Sequence, residues 1–226
     1  MNYTGLLIAL AVAVVAGLAF GLYPQLDLAL MVPFHDPASG WAVSGRGWLL
    51  VRNAASWIIA LIAAPAAIAL IGKFVRPHKT TLMCARAALM MVLTLALGPG
   101  LLANVMLKDN WGRPRPIDVT EFGGSSKFVP WWDPRGGCPK NCSFVAGEPS
   151  GAFWTLAPAA LAPPHWRALA YGAALAFGTA VGLLRAGGGG HFISDVIFAG
   201  VFMFLLIWVV HGVLFRWRTA SLISLK

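Results

Sequence analysis

Two short stretches of this chain carry residue types that suit chemistry on an anion. The first is Arg185-Ala-Gly-Gly-Gly-Gly-His191-Phe-Ile-Ser-Asp195, where four glycines separate an arginine from a histidine and a carboxylate follows at i+4. At helical spacing His191 and Asp195 share a face, so the carboxylate can bond one imidazole nitrogen and fix the ring. The glycines free the backbone to approach an anion and offer it N–H groups, and Arg185 adds a fixed positive charge. A phosphate group fits that inventory. The second stretch is Lys108-Asp-Asn-Trp-Gly-Arg113-Pro-Arg115-Pro116, with three cations within eight residues and two prolines to stiffen them. Lysine is a mobile point charge, whereas arginine offers a planar fork matched to phosphate oxygens. Taken singly, each stretch also suits a blander role: a flexible turn ahead of a membrane helix, or cations at the lipid headgroups.

The elements that must position these residues are apolar. The 226 residues are 58% hydrophobic and only 11% charged, with a mean hydropathy of +0.74. A soluble domain carries roughly 25% charged residues, so most of the apolar surface is expected to face lipid. Six apolar runs stand out, at about 5–23, 48–72, 83–107, 151–163, 167–184 and 193–215. Most approach the roughly 20 residues that cross a bilayer. The fourth is short and contains Pro158, while Pro65 and Gly98-Pro99-Gly100 are expected kink sites in the second and third. Met1-Asn-Tyr-Thr lacks the basic start of a signal peptide, so a retained first helix is expected.

The net charge of +9 would suggest nucleic acid in a soluble protein. Here the basic residues bracket apolar runs, and the positive-inside rule accounts for them, so no nucleic-acid partner is expected. Lys73, Arg76, Lys79 and Arg86 flank the second-to-third link, Arg167 marks the fourth-to-fifth, and Arg216, Arg218 and Lys226 lie in the tail, all without an acid among them. Arg46 and Arg52 count against this orientation but are outnumbered. Both termini are then cytoplasmic, and the loops 24–47, 108–150 and 185–192 face outward. The first of these, with Leu26, Leu28 and Met31, reads as a short amphipathic element or as irregular packing. The second holds Trp111, Phe122, Phe128, Trp131 and Trp132, which point to a folded loop, and Trp131-Trp132 suits the headgroup level. Cys138 and Cys142 in it suit a disulfide if the loop lies outside the cytoplasm.

Lys108, six residues, then Arg115-Pro116 resembles the first motif of the type 2 phosphatidic acid phosphatase superfamily, and Arg185, five residues, His191, three residues, Asp195 resembles most of its third. The resemblance covers about 100–215. The second motif departs from the family's Ser-Phe-Pro-Ser-Gly-His. This chain reads Ser143-Phe144-Val145-Ala146-Gly147-Glu148, with glutamate at the histidine position. A rival register aligns Pro149-Ser150-Gly151-Ala152 and loses the histidine. The first is preferred because it keeps Ser143-Phe144 and supplies a proton donor. Leu184 replaces the serine that precedes the family's arginine, and Ala146 removes a second hydroxyl.

The resemblance implies an all-α integral membrane protein. It would be a single domain, 1–226, built as a six-transmembrane-helix bundle with a long extracytoplasmic loop between helices 3 and 4. It implies a metal-independent lipid phosphatase in the bacterial inner membrane, without a cofactor, with its site facing the periplasm. His191 would attack phosphorus, Asp195 would orient it, Glu148 would protonate the leaving oxygen, and Lys108, Arg115 and Arg185 would clamp the phosphate, with Arg113 as an extra contact. A carboxyl can serve as that acid if burial raises its pKa, whereas clustered cations pull it down. The substrate would be a membrane lipid phosphate or diphosphate, such as lipid A, undecaprenyl diphosphate or phosphatidylglycerol phosphate. The long aromatic loop favours lipid A, whose bulky sugar it could cover. A lipid-to-lipid phosphotransferase and a non-catalytic lipid-binding protein are the alternatives.

Overall fold

The computed structural model describes residues 1–78 and 83–216. Lys79, Arg218 and Lys226, three of the cations that set the expected orientation, lie outside the described residues. Among those described, five helices are long and apolar enough to cross a membrane. They are α1 (Tyr3–Leu22), α3 (Gly45–Val75), α4 (Ala85–Leu95, continued by Ala96–Lys108), α7 (Pro164–Gly187) and α8 (Ile193–Phe215). All five fall on expected apolar runs. Exposed leucines, valines and isoleucines cover α1 and α3, as expected for surfaces solvated by lipid chains. Helix α1 packs against α8, with Tyr3 edge-on to Trp208 and ring centroids 6.0 Å apart.

Helix α4 changes character at Gly98-Pro99-Gly100. The stretch Ala96–Lys108 is π-helical, and the Asn104 amide donates to the Pro99 carbonyl at 2.7 Å. Proline and glycine loosen the ordinary helical ladder at that point, and a wider turn takes up the slack. Helix α3, by contrast, stays helical through Pro65.

The fourth apolar run forms two short helices, α5 (Gly147–Phe153) and α6 (Leu156–Ala160). Pro158 has no N–H to give the Trp154 carbonyl, and the Ala157 N–H takes that acceptor instead, at 2.8 Å, closing a tighter turn. Helix α5 lies among α3, α4, α7 and α8. It fits there because its neighbours are small: a Cβ at Gly178 of α7 would come within 2.2 Å of the Phe153 ring. Trp154, fully buried, donates its indole N–H to Thr94 of α4 at 3.0 Å.

Between α1 and α3 the chain forms α2 (Gln25–Met31) and a two-residue hairpin, β1 (His35–Asp36) with β2 (Gly40–Trp41). The segment 109–146 is folded on aromatic contacts. Trp131 lies 4.3 Å from the Phe198 ring of α8, and the Trp111 indole donates to the Trp131 carbonyl at 2.6 Å. Trp132, by contrast, is exposed. Cys138 and Cys142 are joined in a disulfide.

Candidate active site

Three segments distant in sequence meet at one end of the bundle, stitched by backbone hydrogen bonds. The Cys142 N–H donates to the Lys108 carbonyl at 2.8 Å, Ser143 to Arg113 at 2.8 Å, and Ile117 to Gly189 at 3.0 Å. The end of α4, the turn before α5 and the glycine loop before α8 are thereby held together.

His191 is fully buried among them. Its Nδ1 lies 2.7 Å from the Ser143 carbonyl. A carbonyl can only accept, so the proton sits on Nδ1 and Nε2 keeps its lone pair. Nε2 is buried and has no hydrogen-bond partner among the described residues. Burial holds the ring's pKa well below the usual histidine value, and the charges of Arg185, Lys108 and Arg115 press it further the same way. The ring is neutral. The three cations expected to clamp phosphate are thus the three whose fields converge on this nitrogen base.

Asp195 does not bond the ring directly, contrary to the helical-face expectation. Its Oδ2 stands 4.0 Å from Nδ1. The reason is that α8 begins only at Ile193, so His191 precedes the first turn. Asp195 instead caps that helix, accepting from the Phe192 N–H at 2.9 Å, and it accepts the Ser143 hydroxyl at 2.5 Å. The aspartate therefore holds Ser143, and the carbonyl of Ser143 holds the ring.

Arg113, expected as an extra anion contact, is fully buried and committed elsewhere. It pairs with Asp195, donates to Asp27 at 2.7 Å, to the Ser194 hydroxyl at 2.9 Å and to the Val129 carbonyl at 3.0 Å. Its guanidinium lies over the Phe192 ring at 4.4 Å. Asp27, on α2, completes the network by accepting from the Ser194 N–H and hydroxyl at 3.1 and 2.6 Å. Sequence reasoning did not single out Asp27. The signal was there: a lone carboxylate between Leu26 and Leu28 would be buried with them, and a buried charge needs a partner.

Glu148 stands in the first turn of α5. Its Oε1 accepts from Arg52 of α3 at 2.8 Å, and its Oε2 lies 3.3 Å from Nε of Arg185. Burial raises its pKa, but Arg185, Arg52 and Lys108 together outweigh that and hold the carboxyl below its usual range. Without substrate it is a carboxylate, so service as an acid requires that it gain a proton. Lys108 is buried, and a Cβ at Gly147 would stand 3.2 Å from its Nζ. Arg115, partly exposed, donates to the Asn141 carbonyl at 2.7 and 3.2 Å.

The glycines do a different job from the one expected. The N–H groups of Gly188, Gly189 and Gly190 donate to the carbonyls of Leu184, Ala186 and Arg185 at 3.2, 2.8 and 2.9 Å. They satisfy the open end of α7 rather than an anion. Their contribution is space. A Cβ at Gly190 would come within 2.5 Å of the Arg185 guanidinium, and at Gly189, where φ is +67°, within 2.5 Å of the Trp41 ring. A separate cavity of about 890 Å³ between α1, α7 and α8, lined by Arg167, Tyr171 and Phe204, contains none of these site residues.

The sequence model of the PAP2 superfamily matches residues 85–219. The Lipid A 4'-phosphatase of Francisella tularensis subsp. novicida (strain U112) is 33% identical over 215 residues, covering 93% of this chain and 96% of that protein. The Lipid A 4'-phosphatase of Rhizobium leguminosarum is 39% identical over 104 residues, covering 46% of this chain and 45% of that protein. Among solved structures, the transmembrane PAP2 type phosphatidylglycerolphosphate phosphatase from Bacillus subtilis shares the fold. Its TM-score is 0.57 at 19% identity, over 96% of each chain.

Proposed function

The chain belongs to the PAP2 superfamily, and from that premise we propose that it hydrolyses a phosphate ester of a lipid A-type substrate through a phosphohistidine at His191. It is a multi-pass membrane lipid phosphatase, a phosphoric monoester hydrolase homologous to Lipid A 4'-phosphatases. The observation that carries the catalytic reading is the unpartnered, buried Nε2 of His191, with Nδ1 tied to the Ser143 carbonyl.

The substrate phosphate lies among Lys108, Arg115 and Arg185, whose charges stabilise the equatorial oxygens as the transition state develops. Nε2 donates its lone pair to phosphorus while the P–O bond to the sugar breaks. The leaving oxygen takes a proton from the Glu148 carboxyl. The phosphorylated ring carries positive charge, which the Ser143 carbonyl, braced by Asp195, accommodates. Water then attacks phosphorus and gives its proton to Glu148, the P–N bond breaks, and inorganic phosphate leaves with the ring restored.

We place the site at the periplasmic face of the bacterial inner membrane, with six spans and both termini cytoplasmic, the run 151–163 across α5 and α6 serving as the fourth. The basic flanks of the second-to-third and fourth-to-fifth links support this orientation, and so does a disulfide in the 109–146 segment. The similarity to Lipid A 4'-phosphatase along nearly the whole chain favours lipid A over the other lipid phosphates. The test is phosphate release from lipid A, undecaprenyl diphosphate and phosphatidylglycerol phosphate in detergent. Release from lipid A that disappears in His191→Ala is expected, and undiminished release in that variant would remove the nucleophile.

A further inference from the structure

Arg52 lies on α3, outside the 85–219 segment that matches the family. In the charge count it was an exception, a cation on the wrong side of the membrane. The structure gives it a reason to be there. Its Nε and Nη2 both lie 2.8 Å from Oε1 of Glu148, so one guanidinium edge holds one carboxylate oxygen. The other oxygen lies 3.3 Å from Arg185. Glu148 thus spans two arginines with different surroundings. Arg185 is 9% exposed and reaches into the cradle beside His191, whereas Arg52 is 44% exposed at its mouth.

The carboxylate stands where an anion binds, on a cation that the substrate phosphate needs. When a phosphate enters and takes Arg185, Glu148 keeps one partner. We propose that Arg52 is a positioning residue that receives Glu148 from Arg185 as the substrate phosphate binds, and holds it at the mouth of the cradle beside the leaving oxygen. The inference rests on the phosphatase reading above.

The exchange has a consequence for protonation. Glu148 is faced by Arg52 from α3, Lys108 from the end of α4 and Arg185 from α7. Asp195 of α8 is occupied by Arg113, and His191 is neutral. A bound phosphate neutralises Lys108 and Arg185 and adds negative charge beside the carboxyl, both of which favour its taking a proton. Arg52 alone remains to oppose this. It therefore sets the pH above which the acid is no longer loaded.

The test is the pH profile of phosphate release by the full chain in detergent, using lipid A, for wild type, Arg52→Gln, Arg52→Lys, Glu148→Gln and the double variant Arg52→Gln/Glu148→Gln. In Arg52→Gln, kcat is expected to fall about tenfold with KM changed less. The alkaline limb of kcat should move to higher pH, because the opposing charge is gone. Arg52→Lys should restore most of kcat and the original limb, and Arg52→Met, which keeps the apolar stem and removes the charge, reads the shift of the limb if Arg52→Gln does not fold. In the Glu148→Gln background, loss of Arg52 should add little. An unmoved limb, or losses that multiply fully in the double variant, would overturn the assignment while leaving the phosphatase reading intact. Absence of phosphate release from every lipid by wild type would overturn both.

Discussion

At the scale of single residues, the account turns on which nitrogen of His191 carries the proton. The Ser143 carbonyl decides it, and burial with three nearby cations keeps the other nitrogen unprotonated. The sign follows directly: a base with a lowered pKa stays competent as pH falls, so activity on the acid side should persist well below the ordinary histidine value of about 6.5. A kcat/KM profile with its acid limb at or above that value would contradict the neutral ring. Ser143→Ala keeps the carbonyl but removes the hydroxyl that Asp195 holds. A loss of roughly 10–100-fold in kcat is expected with the fold intact, as for other groups that orient a reactive ligand at one remove. His191 and the three cations that converge on it were legible in the sequence as candidates because they stand at fixed spacings within two short segments. Asp27 and Arg52 were not, because their partners lie 86 and 96 residues away. Nothing local announces a pair that only the fold creates.

At the scale of elements, the site is held by a buried ion network and by a loop with no side chains to spare. Asp27 of α2 and Asp195 of α8 share Arg113. Asp27→Ala would leave that guanidinium short of a counter-charge in a dry interior, at a cost of about 3–5 kcal/mol. A large drop in the thermal midpoint of the detergent-solubilised protein should report it, and an unchanged midpoint would show the network to be dispensable. Gly190→Ala tests the loop. The added Cβ must push the Arg185 guanidinium aside, so kcat should fall by an order of magnitude or more while the melting temperature hardly moves. The sequence placed the five long helices well, since hydropathy alone marks them. It did not anticipate the break between α5 and α6, where Pro158 denies Trp154 its helical partner. It also misjudged the pairing of His191 with Asp195, since i+4 spacing describes a shared face only inside a helix, and α8 starts two residues after the histidine.

At the scale of the whole molecule, the long helices pack together and the candidate site gathers at one end of their bundle, the end that the proposed orientation puts outside. A cysteine placed at Lys127, in a background lacking Cys84, should react with an impermeant thiol reagent added to intact spheroplasts, and labelling only after lysis would reverse the orientation. The proposed function rests on one event, the transfer of a phosphoryl group to Nε2 of His191. The direct measurement is to mix the enzyme with lipid A labelled at phosphorus, quench in alkaline denaturant within a turnover, and locate the label by peptide mass. The account predicts an acid-labile, alkali-stable phosphate on His191 that decays as inorganic phosphate appears. Phosphate release without label at any time, or label on another residue, would contradict it.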